Sequence, residues 1–169
     1  MLRRWADAIR RNHALEHATV AVLLARSGPR RLAGRATRDG FFLFGDVTQD
    51  EALWCAEDAL RRLQAGQASL AVSPLCGTNI AVAGFVAAAA ATAVLSIGPA
   101  RGRFPNAFLA AMLGVIFAQP LGRLVQQRIT TSPDLDGVEI AGASAEIAGT
   151  SVEIAGGQLL KVLTRGAMR

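Results

Sequence analysis

His13 and His17 are the only histidines of the chain, and Glu16 stands directly before the second one. Residues 3–26 contain no glycine or proline and are followed shortly by a Gly-Pro pair, so they predict a helix. Residues four apart lie on one face of a helix, and both imidazoles can therefore reach a single metal ion. Glu16 is close enough to hold a water molecule on that ion. The spacing thus indicates a candidate metal site.

The candidate site lies on the apolar side of the predicted helix. When successive residues are placed about 100° apart, both histidines and Glu16 share one stripe with a set of apolar residues. That set is Leu2, Ala6, Ile9, Val20 and Leu24. An unpaired polar group on such a face costs a few kcal/mol, so the three polar side chains need partners. A metal ion is one solution, and arginines, Asn79 or lipid headgroups are alternatives that need no metal.

The segment His13-Ala14-Leu15-Glu16-His17 is similar to the H-x-x-E-H motif of the inverzincins, the inverted-motif zinc peptidases. The resemblance covers this motif and no more of the chain. It implies that His13 and His17 are zinc ligands and that Glu16 is the general base that deprotonates zinc-bound water. Those peptidases are much longer, and they take a further carboxylate ligand from a downstream helix.

Two side chains are candidates for the third ligand. Glu57 flanks the apolar stripe of the second predicted helix, and Cys76 lies on a turn that is predicted at the membrane surface. A thiolate is a good zinc ligand. Cys55 is expected to point toward the same side as Glu51 and Asp58, which makes it a weaker candidate.

Other chemistries have less support in the sequence. Cys76 could instead be a nucleophile with His13 or His17 as its base. No glycine-rich phosphate loop and no serine-hydrolase elbow is present. Nucleic acid is not an expected partner, because no basic stripe with interleaved aromatics occurs. The two cysteines form no C-x-x-C pair, so they do not indicate a disulfide scaffold.

The composition indicates a membrane protein. Hydrophobic residues make up 51% of the chain and charged residues 18%, whereas soluble proteins average about 25% charged. Two apolar segments, residues 79–98 and 104–124, are each long enough to cross a hydrocarbon core of about 30 Å. The short connection at residues 99–103 predicts that they form a helical hairpin. A soluble apolar hairpin is the alternative.

The arginines indicate an orientation and a partner. More of them flank the outer ends of the hairpin than lie in its connection: Arg61, Arg62, Arg123 and Arg128 against Arg101 and Arg103. The positive-inside rule then predicts an inner (plasma) membrane protein with both termini in the cytoplasm. The expected partner is the lipid bilayer, with a second copy or another membrane subunit as a further possibility. The charged N-terminal segment is a poor signal-peptide core, so no cleaved signal is expected.

The remaining elements predict an α+β fold. Residues 30–40 are expected to be a basic loop, and residues 40–45 a short aromatic strand. The segment Thr48-Gln49-Asp50-Glu51 fits a capping box that opens a helix of about residues 49–65. Residues 68–73 predict a second strand, which would complete a βαβ-like unit.

A seven-residue repeat marks the tail. Units starting at Val138, Ala145 and Val152 each continue with Glu-Ile-Ala-Gly. Glycine in every unit disfavours a coiled coil, and the pattern instead indicates short strands and turns. The repeated Glu139, Glu146 and Glu153 are expected to face water rather than to form a cation site.

Several segments together resemble a family of small bacterial membrane proteins of unknown function. They are Asn12-His13-Ala14-Leu15-Glu16-His17-Ala18-Thr19, Ala33-Gly34-Arg35, Gly40-Phe41, Cys76-Gly77-Thr78-Asn79 and Thr130-Thr131-Ser132-Pro133-Asp134. The resemblance spans most of residues 12–134 and is more specific than the zinc motif alone. It implies a membrane fold and supplies no activity.

Taken together, these features predict an α+β membrane protein with a cytoplasmic head (1–78), a two-span hairpin (79–125) and a β-rich tail (126–169). The first functional hypothesis is a membrane-anchored zinc-dependent hydrolase or peptidase, with zinc on His13, His17 and either Glu57 or Cys76. The second is a non-enzymatic membrane subunit or assembly factor, in which the polar cluster is structural or binds a metal inertly. Glu16 separates them, because a hydrolase with glutamine there keeps zinc and loses turnover.

Overall fold

Two compact units make up the protein. The computed structural model describes residues 1–97, 102–147, 150–151, 153–154 and 157–168. The first unit, here called the head, comprises Met1–Ser73 and Ile129–Arg169, and the second, here called the helical hairpin, comprises Pro74–Arg128. The predicted segments 1–78 and 126–169 therefore contribute mainly to one unit, because strands that follow the hairpin join the sheet of the head.

The sheet of the head is antiparallel. Its strands are β1 (Leu32–Thr37), β2 (Gly40–Gly45), β3 (Glu139–Ser144), β6 (Glu153–Ile154) and β7 (Gly157–Arg165), and β4 (Glu146–Ile147) and β5 (Thr150–Ser151) form a separate two-stranded sheet. The order in the larger sheet is β1-β2-β7-β3, with β6 also paired to β7. In the central strands, alternate residues are fully buried: Phe41 and Leu43 on β2, and Leu160 and Val162 on β7. These side chains form the core that the helices cover.

Two helices pack against this sheet. The first, α1 (Leu2–Ser27), ends at Gly28, whose φ of 79° lies in the left-handed region that glycine adopts without strain. The second, α2 (Gln49–Gln64), starts at Thr48, whose side chain accepts the Glu51 N–H at 3.3 Å. Residues 14–19 of α1 are buried all round, because this helix contacts α2 as well as β1 and β2. The candidate metal site therefore lies on the most buried stretch of α1.

The structure confirms the two predicted helices of the head, the capping interaction at Thr48 and the aromatic strand at 40–45. The βαβ-like unit is wrong. Residues 30–40 contain the edge strand β1, and residues 68–73 contain a short 3₁₀-helix, Ala68–Ala71, in place of a strand. β1 carries little apolar pattern because it is an exposed edge whose pairing comes from β2. Residues 68–71 have too few β-branched side chains to favour a strand.

The apolar stripe predicted for α1 is also partly wrong. Glu16 and His17 are buried as expected, but Leu2, Ala6 and Ile9 at the start of the helix are exposed. Ala8 is the one buried residue among positions 2–9 of α1. An apolar face at the beginning of α1 is therefore left uncovered by the protein.

The helical hairpin consists of α3 (Gly77–Ser96) and α4 (Arg103–Val125), followed by a π-helix at Gln126–Thr130. α3 and α4 pack along each other, and Gly114 lies so close to Ala87 that an added Cβ would stand 3.3 Å from its Cα. Both helices are long and apolar enough to cross a membrane, with mean hydropathies of 1.8 and 1.7. Most of the predicted connection at 99–103 lies outside the described residues.

The predicted short strands of the tail are present as β3 to β6. Glu139, at the start of β3, is exposed, as expected. The side chains of Glu146 and Glu153 lie outside the described part of the chain, as do several residues of the repeat. The expectation that these two carboxylates face water stays a prediction.

Candidate metal site

The imidazole rings of His13 and His17 lie side by side on adjacent turns of α1. Their centroids are 4.3 Å apart and their planes are tilted by 59°. One ring nitrogen of each lies within 4.8 Å of the other. In a tetrahedral zinc site two nitrogen ligands are roughly 3.3 Å apart, so small side-chain rotations bring these atoms to that spacing. The structure thus brings the two predicted ligands together.

Backbone carbonyl groups orient both rings. His13 Nδ1 lies 2.9 Å from the Thr130 carbonyl oxygen, and His17 Nδ1 lies 2.8 Å from the Ala71 carbonyl oxygen. A carbonyl oxygen only accepts hydrogen bonds, so each Nδ1 must carry the proton. In a neutral imidazole the lone pair is then on Nε2. Metal-binding histidines usually have this arrangement, in which a backbone carbonyl or carboxylate fixes the tautomer of the ligand.

The Glu16 carboxylate is buried beside the histidines. Its Oε2 is 3.9 Å from His13 Nε2, the atom that the tautomer assigns to a metal. Gly34 on β1 makes room for it, because a Cβ built on Gly34 would stand 2.8 Å from Glu16 Cγ and 2.5 Å from Cδ, with Oε1 nearer still. A side chain at position 34 would therefore displace the Glu16 carboxylate. This contact explains why a glycine stands in the middle of the segment Ala33-Gly34-Arg35.

Asn12 anchors α1 to the sheet one residue before His13. It is fully buried, and its amide nitrogen donates to the Thr37 and Arg38 carbonyl oxygens at 2.9 and 3.1 Å. Its amide oxygen accepts from the Thr164 hydroxyl at 2.8 Å. Because this side chain binds both the β1–β2 turn and β7, it fixes the rotation of α1. Asn12 belongs to the NHALEHAT segment, but the residue pattern of that segment gave no sign of this role.

The segment that orients His13 is itself fastened along α1. Ser132 donates its backbone N–H to the Arg10 carbonyl oxygen at 3.0 Å, and Arg10 Nη2 donates to the Thr131 carbonyl oxygen at 3.2 Å. Arg11 pairs with Asp134 at 3.2 Å. The segment Thr130-Thr131-Ser132-Pro133-Asp134 therefore holds the carbonyl group that selects the His13 tautomer. No side-chain motif could have revealed this, since the decisive atom is a backbone oxygen.

The candidate third ligands lie in different surroundings. Glu57 is exposed on α2, where it borders an open pocket of about 440 Å³ together with Val138 and Glu139. Among the described residues, it is not one whose ligand atoms gather with the histidines. Cys55 is fully buried in the core of the head, and the charges of Glu51 and Asp58 act on its thiol, which agrees with the expectation that the three residues share a side of α2. Burial raises the pKa of the Cys55 thiol, which disfavours a thiolate there.

Cys76 starts α3 within the helical hairpin. It is buried, and its Sγ accepts the Thr78 backbone N–H at 3.4 Å. Three residues later, Asn79 accepts from the Gln126 amide at 2.8 Å and donates to the Pro74 carbonyl oxygen at 3.0 Å. A Cβ on Gly122 would meet Asn79 Cγ at 3.2 Å. The segment Cys76-Gly77-Thr78-Asn79 therefore both caps α3 and ties the base of the helical hairpin together.

These features define a class of protein: an α+β head with two aligned histidines and a buried carboxylate, joined to a hairpin of two membrane-length helices. The model of the family "Domain of unknown function (DUF6391)" matches residues 8–143, and the chain belongs to this family. An uncharacterized protein of Picosynechococcus sp. (strain ATCC 27264 / PCC 7002 / PR-6) is 38% identical over 148 residues, which covers 76% of this chain and 68% of that protein. No solved structure matches the chain. The predicted family of unknown function is thus confirmed, whereas no relative supports the similarity to zinc peptidases.

Proposed function

We propose that this protein is a membrane-anchored metalloprotein that binds zinc and uses Glu16 as the general base of a hydrolytic reaction. The main observation in support is the common tautomer of the two histidines. Hydrogen bonds from Nδ1 to the Thr130 and Ala71 carbonyl groups leave the Nε2 lone pair of each ring available to coordinate a metal. Two neighbouring rings with the same tautomer both leave Nε2 without a proton, which is the state that a pair of metal ligands requires.

Cys76 is the proposed third ligand. A thiolate with two imidazoles is a donor set that suits zinc. Cys76 follows Ala71 by only five residues, and Ala71 carries the carbonyl oxygen that orients His17. A segment of that length spans at most about 18 Å, which limits how far the thiol can lie from Ala71. Glu57 has no comparable tether and is exposed.

Glu16 fits the role of a proton carrier. Its carboxylate lies next to the proposed ligand atom of His13 and packs against Gly34. In the proposed reaction, water adds to an electrophilic carbon of the substrate while Glu16 accepts the proton of that water. Glu16 then gives the proton to the leaving group, so each bond cleaved consumes one water molecule. The metal supplies the polarisation that makes the water nucleophilic at neutral pH.

The helical hairpin is the proposed anchor. The most apolar windows of its two helices are only 6% and 17% buried, which leaves their apolar side chains without a protein cover. A helix of a soluble core would have most of this surface buried. Two spans place both ends of the chain on one side, and the flanking arginines favour the cytoplasmic side of the inner membrane. A second copy or another membrane subunit remains part of this proposal.

A non-enzymatic role is the second candidate, and the contact between Glu16 and Gly34 favours it. The carboxylate packs against the backbone of β1, so a substrate can approach it only from the remaining sides. In a membrane subunit or assembly factor, the same cluster would hold a metal that stabilises the head without turnover.

Metal analysis of the detergent-purified protein tests the first proposal. We expect about one zinc per chain in the native protein, a loss of most zinc in His17→Ala, and unchanged zinc in Glu16→Gln. Hydrolysis of labelled casein and of p-nitrophenyl acetate should disappear in Glu16→Gln. Glu57→Gln is the matched control and should keep both zinc and activity. Equal metal in the native protein and in His17→Ala would end the metal proposal, and zinc without any Glu16-dependent hydrolysis would favour the second candidate.

Thiol labelling tests the third ligand separately. Cys55 should resist maleimide until the protein unfolds, because it is fully buried and its pKa is raised. Cys76 should react only after zinc is removed with a chelator. Labelling of Cys76 at the same rate in the zinc-loaded and metal-free protein would remove it from the ligand set while leaving the histidine pair intact.

A further inference from the structure

The first two turns of α1 carry an exposed apolar face. Leu2 is 81% exposed, Trp5 is 41% exposed and Ile9 is 42% exposed. These residues are three and four positions apart, so they lie on one side of the helix. Together they are called the α1 face below. Three large apolar side chains on one side of a two-turn segment form a contiguous patch, which usually marks a binding surface.

Basic side chains surround the α1 face. Arg3 and Arg4 are exposed on the same turns of the helix. Arg38, in the turn between β1 and β2, lies with its guanidinium 5.2 Å from the centre of the Trp5 ring. Asn12 holds this turn against α1, because its amide nitrogen donates to the Arg38 carbonyl oxygen at 3.1 Å. The turn that carries Arg38 is therefore fixed beside the apolar patch.

The neighbouring acidic groups already have partners within the head. Asp7, on α1, pairs with Arg10 at 3.5 Å. Asp39, in the β1–β2 turn, pairs with Lys161 at 2.6 Å and accepts from the Thr37 hydroxyl at 2.9 Å. These pairs neutralise the two carboxylates. The surface around the α1 face consequently keeps a positive charge.

We propose that the α1 face docks on the anionic headgroup layer of a lipid bilayer. A short helical face with a tryptophan, aliphatic side chains and flanking arginines has the chemistry of an interfacial segment. Tryptophan prefers the headgroup region, where its ring is apolar and its N–H can reach water or a headgroup. Arginines there interact with anionic lipid phosphates. The proposal rests on the membrane anchoring proposed above, because the helical hairpin keeps the head close to the same bilayer.

The two tryptophans of the chain allow a direct test with the full-length protein. Trp54→Phe leaves Trp5 as the only reporter, and Trp5→Phe leaves Trp54 as a matched control. Trp54 lies under Arg26 with 4.0 Å between the guanidinium and the ring centre, and Arg26 is 21 residues beyond Trp5 on α1. The control reporter is therefore about 31 Å along the helix from the proposed contact. Both variants are reconstituted in vesicles of brominated phosphatidylcholine, with and without phosphatidylglycerol.

We expect brominated lipid to quench Trp5 roughly two-fold more than Trp54 in the vesicles that contain phosphatidylglycerol. High salt, or the triple change Arg3→Gln, Arg4→Gln and Arg38→Gln, should remove most of this difference. Equal quenching of the two reporters would overturn the proposal. A Trp5 shielded from both brominated lipid and aqueous iodide would also overturn it, because the face would then be covered by a second copy or another protein.

Flotation of the vesicles separates this proposal from the anchoring on which it rests. Protein that floats with the vesicles and shows no preferential quenching of Trp5 refutes the docking of the α1 face alone. Protein that does not float, with either lipid composition, refutes the membrane anchor and the docking together.

Discussion

Gly34→Ala should displace the Glu16 carboxylate without removing it. Gly34 does not have a positive φ, so alanine fits the backbone of β1 without strain. The new methyl group would nevertheless stand 2.5 Å from Glu16 Cδ and 2.8 Å from Cγ. Carbon atoms in contact are about 3.5–4.0 Å apart, so the carboxyl group must move by about 1 Å or more. The head offers little space for this movement, because Glu16 is 7% exposed.

The expected cost is that of an overpacked core, about 1–3 kcal/mol. For a chain of this size each kcal/mol lowers Tm by about 2–4 °C, so Gly34→Ala should lower Tm by about 2–12 °C. The same change in a Glu16→Ala background should cost little, since the side chain that clashes is gone. The coupling between the two positions is therefore expected to be of the order of 1–3 kcal/mol. Zinc content should persist in Gly34→Ala, while hydrolysis should fall as in Glu16→Gln.

Thermal unfolding of the detergent-purified variants, together with their zinc content, provides the assay. Gly84→Ala is the matched control, because it makes the same chemical change in α3 where nothing lies within 4 Å of the new Cβ. That variant should be neutral or slightly stabilising, as alanine favours a helix by about 1 kcal/mol over glycine. An equal loss of Tm for Gly34→Ala with and without Glu16 would refute the reasoning, because the cost would then come from β1 itself.

Two further predictions concern the surroundings of the site. Asn12→Leu should destabilise the head by about 2 kcal/mol or more, because it removes the hydrogen bonds that the fully buried Asn12 amide makes with Thr37, Arg38 and Thr164. Thr19→Val is a buried change on the same helix that removes an intrahelical bond, and it should cost less than about 1 kcal/mol in the same unfolding assay. Similar losses for the two variants would contradict the role of Asn12 in fastening α1 to the sheet. Ser27→Ala should cost about 1 kcal/mol at pH 7, since the Ser27 hydroxyl lowers the pKa of Glu51 from its ordinary 4.5. A lowered carboxyl pKa stabilises the fold above pH 4.5, and that contribution is lost as the pH falls through the pKa of the folded state. The Tm difference between Ser27→Ala and the native protein should therefore disappear in acid. A Tm difference that does not depend on pH would show that the lowered pKa of Glu51 is not the cause.

The sequence predicted the elements whose signal is local. α1, α2 and the two long helices each carry their own pattern of apolar residues, stops and caps, and the Thr48 capping box formed as expected. β1 was not predicted, because an edge strand with mostly exposed residues has no apolar pattern of its own. The pairing of the strands was not predicted either, since Gly45 on β2 pairs with Gln158 near the start of β7. Pairing over such a distance depends on the whole fold rather than on any short segment.

The candidate site was predicted to a similar extent. The spacing of His13 and His17 sufficed to place their rings side by side, as the structure confirms. The groups that orient the rings were not predictable, because they are backbone carbonyls of Ala71 and Thr130 on segments distant in the sequence. Glu57 was a reasonable candidate from its helical position, but it is exposed. Whether a polar side chain on a helix is buried or exposed depends on how the helix packs in the whole fold.

The place of β7 in the sheet determines the order of events during synthesis. This strand lies between β2 and β3, yet the ribosome makes it only after both membrane-length helices have emerged. Thr130, which positions the His13 ring, also follows them. A nascent chain that still lacks these segments has α1 but neither a closed sheet nor an aligned histidine pair. Completion of the head therefore follows synthesis of both apolar helices, and the two histidine rings acquire both of their backbone partners only at that stage.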